Sequence, residues 1–277
     1  MGKIVTFINM KGGVGKTTTA VNVGYTIAKQ YNKRVLLIDM DPQMNATQYT
    51  LNNAQVRDIL TKPSNTVYGI LSPTNDYPKI LGELKKEEKL SPKDYIYNIR
   101  VNFDIIPSHL ELMSLNLNER PLKLKKFIEN ELKDSYDVII LDCPPTISGY
   151  TKLSLLSSDS YIVPMKTDYL SFFGLPLLEN YISTLKADYE KDLEFMGIVL
   201  TMVRTDWRIY NDVKALIKKE PRWKNKLFKA EMRNRTMIEN ALSPENKNDN
   251  KNYILELDEV KDQIINITQE FMIKGRL

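Results

Sequence analysis

The stretch KGGVGKTT, residues 11–18, constrains this chain more than any other. It follows an apolar run, Ile4–Ile8, and leads into a stretch with helical periodicity, Thr17–Gln30. Strand, glycine-rich turn and helix in that order make a cradle for phosphate. Gly12, Gly13 and Gly15 let backbone N–H groups close around phosphate oxygens without Cβ clashes. The helix starting at Thr17 aims the positive end of its dipole at the same point. Lys16 adds a mobile positive charge for the β- and γ-phosphates, and Thr17 a hydroxyl for magnesium, with Val14 and Thr18 completing the loop. The usual spacing G-x-x-x-x-G-K-[ST] wants glycine at position 10, where Met10 stands, and has no role for the charge of Lys11.

The rest of the chain alternates short β-branched runs with helical stretches, which points to an α/β fold: a doubly wound, mostly parallel sheet with helices on both faces. Strands are expected at Ile4–Ile8, Val35–Ile38, Phe103–Ile106, Val138–Leu141, Tyr161–Val163 and Met196–Leu200. Most are continuous apolar runs, as strands buried on both sides should be. Helices are expected at Thr17–Gln30, Leu122–Leu132, Gly174–Tyr189, Tyr210–Lys218 and Leu257–Ile273. Residues 52–100 are the least periodic, broken by Pro63, Pro73, Pro78 and Pro92, and Ser243–Asn252 is polar enough for a loop. Neither marks a boundary, so residues 1–277 are expected to form one domain.

Two acidic clusters close predicted strands. VLLIDMDPQ places Asp39 and Asp41 at the carboxyl end of one, and DVIILDCPP places Asp142 at the end of another, where open α/β sheets bind ligands. Carboxylates there are costly to bury unpaired, so a cation is their natural companion. The net charge is only +4, but the basic residues cluster. Between Arg204 and Arg235, eleven basic residues face four acidic ones, which leaves the remainder of the chain slightly acidic. Such asymmetry suits a polyanion. The single Cys143 excludes an intrachain disulfide, and no apolar run reaches the ~18 residues of a membrane span. The start MGKIVT matches a loose myristoylation pattern, but Lys3–Ile8 reads better as a buried strand. The expected location is the cytoplasm.

KGGVGKTT, DMDPQMNAT and DCPP together resemble the ParA-type ATPases that partition plasmids and chromosomes, within the deviant Walker A group of P-loop proteins. The likeness continues through DIIPSHLEL from Asp104, SDSYIVPMKTDYLSFFGL from Ser158 and GIVLTM from Gly197, and weakens after Met202. It implies ATP and Mg2+ as cofactors. It also implies that Lys11 reaches the nucleotide of a partner subunit, so that two chains sandwich two ATP molecules. Asp41 would position or activate the attacking water, while Thr17, Asp39 and Asp142 would hold the magnesium and its hydration shell. Pro164–Tyr169 would lie near the nucleotide and the dimer interface. The implied partners are a second copy, non-specific DNA on the nucleoid, and a ParB-like centromere-binding protein that stimulates hydrolysis.

Rival members of the group are separable on residues. The nitrogenase iron protein and iron–sulfur scaffold ATPases need at least two cysteines for a bridging cluster. The tyrosine kinases carry a tyrosine-rich tail that is missing here, and amidoligases such as dethiobiotin synthetase lack the early lysine as a rule. MinD-like ATPases hold membranes through a basic amphipathic C-terminal helix. Here Leu257, Val260, Ile264, Ile267 and Phe271 form an apolar stripe, but acids outnumber bases from Tyr253 onward, which suits a helix docked on the core. The alternative is a MinD-like or cargo-positioning ATPase without DNA binding.

With the P-loop starting by residue 11, no N-terminal helix-turn-helix domain is expected, and DNA binding is expected to be non-specific. Arg204, Arg233 and Arg235 are the first candidates for it, followed by Lys214, Lys218 and Lys219. The family's Pro-Arg-Asn element is EMRNRT here, with Met232 for proline, which retains Arg233 and Asn234; with Met202 these are the candidate nucleotide contacts. Met44 stands where glycine is common, implying a stiffer loop after Asp41. His109 is expected to make a surface or loop hydrogen bond, and Trp207 and Trp223 are expected to pack rather than stack on bases. Cys143 is given no chemistry.

Overall fold

Seven strands form one sheet in the order β3-β4-β2-β5-β1-β6-β7. The structure is a computed structural model that describes residues 2–72, 90–234, 236, 238 and 252–277. The strands are β1 (Lys3–Phe7), β2 (Val35–Asp39), β3 (Tyr97–Arg100), β4 (Phe103–Ile106), β5 (Val138–Asp142), β6 (Ser160–Lys166) and β7 (Glu194–Thr201). All pairs are parallel except the β3–β4 edge. The fold is the doubly wound α/β fold of P-loop NTPases, and every expected strand is present within two residues at each end, except β6, which runs three residues further.

Alternation across the pleat sorts the strand residues to two faces. Val138 and Ile140 of β5 join a core with α1 (Lys16–Tyr31) and α9 (Lys261–Gly275). Ile139 and Leu141 face α4 (Val67–Leu71), α5 (Lys123–Phe127) and α6 (Gly149–Ser157). A third cluster packs α7 (Tyr169–Asp188) and α8 (Arg208–Lys219) on β6 and β7. The C-terminal stripe is docked on the core: Val260, Ile264, Ile267 and Phe271 are buried, and Phe271 stacks on Phe7 at 5.9 Å. Among the described residues no helix is long and apolar enough to cross a membrane.

Several local expectations are corrected. The segment 52–100 holds α3 (Asn53–Thr61), α4 and the edge strand β3; α3 is set by a reciprocal cap between Asn52 and Gln55. The helix expected from Gly174 begins at Tyr169, because Asp168 caps it by accepting from the Ser171 amide at 2.8 Å. The helix expected from Leu257 begins at Lys261 after a 3-10 turn, and that expected over Leu122–Leu132 becomes a π turn after Phe127. Short α2 (Asn45–Thr50) and α6 lacked a long periodic signal. Within the expected loop 243–252, residues 243–251 lie outside the described residues. Asn252 is buried, donating to the Tyr49 carbonyl at 3.1 Å and accepting from its hydroxyl at 2.9 Å.

Candidate functional site

Parallel register brings Phe7, Asp142 and Asp39 level on β1, β5 and β2. The glycine loop and both acidic loops therefore leave the sheet at one edge, its carboxyl end. A cleft of about 960 Å³ opens there, walled by Gly12, Gly13, Val14, Gly15, Lys16, Thr17 and Thr18, by Asp41, Gln43 and Asn45, by Pro144–Thr146 and by Met202. Gly13 and Gly15 take φ values of 66° and 74°, which side chains resist. The loop is fastened to β7 by the Thr201 hydroxyl, which donates to the Val14 carbonyl at 2.6 Å.

Lys16 is buried at 7% exposure. Burial lowers its pKa, and the Asp142 carboxylate pulls the other way. A poorly hydrated ammonium at a concave wall attracts anions strongly. The Thr17 hydroxyl donates to Asp142 Oδ2 at 2.7 Å, while Asp142 Oδ1 is buried without a hydrogen-bond partner. Burial pushes the Asp142 carboxyl up to about 7. An orphaned carboxylate oxygen beside a hydroxyl, at the foot of a phosphate cradle, fits a hydrated magnesium ion.

Asp39 has a different employment. Its Oδ1 accepts from the Asp41 amide at 3.1 Å, and its Oδ2 accepts from the Thr47 amide and hydroxyl at 2.8 and 2.7 Å. Burial, followed by the charge of Asp142, raises it to about 8. Both oxygens thus pin the turn after β2, and Asp39 stands behind the residues that line the cleft, so any part it takes in holding a hydrated metal runs through that turn. Among the described residues no three His, Cys, Asp or Glu side chains gather as a metal site.

Asp41 does line the cleft, accepting from the Gln43 amide at 2.9 Å and from Asn45 Nδ2 at 3.2 Å. Between those residues Met44 adopts φ 59°, and its buried side chain packs in the core, so packing anchors the loop where glycine would leave it loose. Met202, also left-handed at φ 50°, forms part of the wall. Arg233 and Asn234 do not; the Asn234 amide instead donates to the Val203 carbonyl at 2.9 Å. Lys11 is also absent from the wall, which begins at Gly12, and its Nζ lies 2.8 Å from both oxygens of Asp168.

The basic stretch is less uniform than its composition. A parallel bridge between Val203 and Arg233 sets the loops carrying Arg204 and Arg233 side by side, and both residues are exposed. Arg204 stacks over the exposed ring of Trp207 at 4.5 Å, so the expected packing of Trp207 is corrected. Lys218 and Lys219 are exposed on α8. Lys214 is half-buried and bound to Glu231 and Tyr210, which removes it from the open surface. Arg222 pairs with Glu220 and Glu179, while Trp223 is buried as expected. Arg235 lies outside the described residues.

His109 is buried rather than at the surface, with Nδ1 accepting from the Glu111 amide at 3.0 Å. The buried Cys143 thiol is pushed up to about 12 by burial. Sequence reasoning did not single out Thr201 or Asn45, and it placed Asp168 only within the Pro164–Tyr169 segment. Only Asp168 carried a usable signal, an acid directly before an amphipathic run.

An AAA domain family model matches residues 2–195. The chain is 33% identical over 235 residues to the sporulation initiation inhibitor protein Soj of Bacillus subtilis, covering 83% of each. It is 31% identical over 213 residues to the chromosome-partitioning ATPase Soj of Treponema pallidum, covering 77% of this chain and 76% of that one. A Borrelia burgdorferi structure described as a plasmid partition protein with bound AMPPNP superposes with a TM-score of 0.75 at 25% identity, over 99% of this chain and 100% of the other.

Proposed function

We propose that this chain, which belongs to the Soj/ParA family of partition ATPases, acts as an ATP-gated dimer that rides on DNA and is reset by hydrolysis. The observation that carries the reading is the placement of its two loop lysines. Lys16 lines the cleft of its own chain, whereas Lys11, next in sequence to the lining residue Gly12, is not part of the wall. A lysine beside but outside the wall can neutralise phosphate on a facing chain, where two bound nucleotides would otherwise leave excess negative charge.

Magnesium-bound ATP supplies the electrophilic γ-phosphoryl group. The amides of Gly12–Thr18 hold phosphate oxygens, and Lys16 places its charge among them. Thr17 and Asp142 hold the metal and its water, and Asp41 orients the attacking water. Arg204 and Arg233 contact DNA phosphates without reading sequence. A ParB-like partner accelerates the reaction, and the protein works in the cytoplasm on the nucleoid.

Co-sedimentation with DNA in the presence of ATP, ADP or no nucleotide tests the reading. DNA should be held only with ATP, with an affinity that falls steeply with salt. Absence of salt-sensitive DNA affinity in the ATP state would transfer the chain to the cargo-positioning class.

A further inference from the structure

Lys11 is held at both ends. Its amide donates to Asn9 Oδ1 at 2.9 Å, and Asn9 Nδ2 donates to the Pro164 carbonyl of β6 at 2.8 Å. Its ammonium meets Asp168, four residues further along the same strand and loop, through both carboxylate oxygens at 2.8 Å. The Asp168 carboxylate is fixed in turn, because Oδ1 also accepts from the Ser171 amide at the start of α7. One side-chain tether and one ion pair therefore fasten this lysine to β6 and α7 of its own chain.

A carboxylate at a helix N-terminus offers a lysine much the same chemistry as a phosphate: two or three anionic oxygens with fixed direction. We propose that Asp168 is a positioning residue that holds Lys11 inside its own chain, and that exchange of this carboxylate for a partner's phosphate sets the ATP level at which two chains join. The proposal rests on the dimer reading above and adds its threshold. Burial alone would raise the Asp168 carboxyl, but the hydrogen bonds from Lys11 and the Ser171 amide outweigh it and hold the group below its ordinary value. The carboxylate thus stays charged at neutral pH and competes for Lys11 throughout the working range.

The pair must be weak enough to open. Both side chains are about one-third exposed, at 35% and 30%. Ion pairs of that exposure shift an equilibrium by about 2- to 5-fold. A symmetric dimer opens two of them, so the joint effect on dimerisation is about 4- to 25-fold. That is a threshold rather than a block.

Asp168→Asn and Asp168→Ser both keep a short polar side chain able to cap α7 while removing the charge. Either one decides the matter if the other folds poorly. Protein without nucleotide is first treated briefly with an N-hydroxysuccinimide acetate, and acetylation of Lys11 is measured by peptide mass spectrometry. The variants should label several-fold faster at Lys11 and at the wild-type rate at exposed Lys218. Dimerisation is then followed by light scattering against a non-hydrolysable ATP analogue with magnesium. The variants should reach half-dimer at about 2- to 5-fold lower analogue concentration, the square root of the change in dimerisation, because two nucleotides enter each dimer.

Lys11→Ala separates the two readings. If it dimerises normally, the sandwich itself fails. If it does not dimerise while the Asp168 variants join at the wild-type analogue level, or label no faster, Asp168 is only a helix cap and the latch is overturned.

Discussion

The phosphate cleft and the basic surface beyond β7 both gather positive charge, but they hold it in different ways. At the cleft the charge belongs to backbone amides, a helix end and one lysine at 7% exposure, all fixed before any ligand arrives. At the basic surface it belongs to long exposed side chains, and several are already answered locally. Lys214 is bound to Glu231, and Arg222 to Glu220 and Glu179. The first arrangement suits a tight, directional ligand, because little reorganises on binding. The second suits a diffuse polyanion met through screened attraction. A count of basic residues therefore overstates the second site and understates the first.

The largest expected effect lies at the cleft. Lys16→Gln should weaken ATP binding by about 30- to 1,000-fold, the usual range for truncating one partner of a buried charged pair. Calorimetric titration measures it, and an affinity within about threefold of wild type breaks the contrast between fixed and diffuse charge. Asp41→Ala should leave ATP binding and dimerisation intact while slowing hydrolysis by about 100- to 10,000-fold. Loss of ATP binding in that variant would assign Asp41 to the architecture of the loop instead.

Smaller effects are expected beyond β7. Arg204→Glu and Arg233→Glu should weaken DNA binding equally on unrelated sequences, with dimerisation unchanged. The slope of log affinity against log salt should flatten by about 0.9 for each phosphate that is no longer neutralised. Unaltered salt slopes in both variants would remove these arginines from the interface. Lys214→Ala sharpens the comparison with the smallest change. It should leave DNA affinity alone and lower unfolding stability by roughly 1 kcal/mol, since it strands Glu231 in a half-buried pair. A DNA defect with unchanged stability would return Lys214 to the open surface.

The difference between the regions also explains how far each is legible in the sequence. The P-loop lies in consecutive residues whose types are demanded by backbone geometry, so its glycines, Lys16 and Thr17 can be read directly. Asp142 is legible because it ends an unbroken apolar strand. Asp39, equally placed in sequence, has surroundings the sequence does not show, since only the folded turn reveals that Thr47 and the Asp41 amide bind its oxygens. The start of α7 reads five residues late when Asp168, an acid directly before the run, is not taken as its cap.

By itself the sequence determined the layered α/β architecture, the phosphate cradle and the strand ends that feed it. Those features depend on local periodicity and on glycine conformations, both written into neighbouring residues. Tertiary structure alone decided which charges face outward and which are answered at home. A bridge between Val203 and Arg233 sets the loops of Arg204 and Arg233 side by side, Lys214 finds Glu231, and Lys11 finds Asp168 across 157 positions of chain. Such pairings follow from how β6, β7 and their helices pack side by side, and electrostatic partners at that separation leave no periodic trace for a sequence to show.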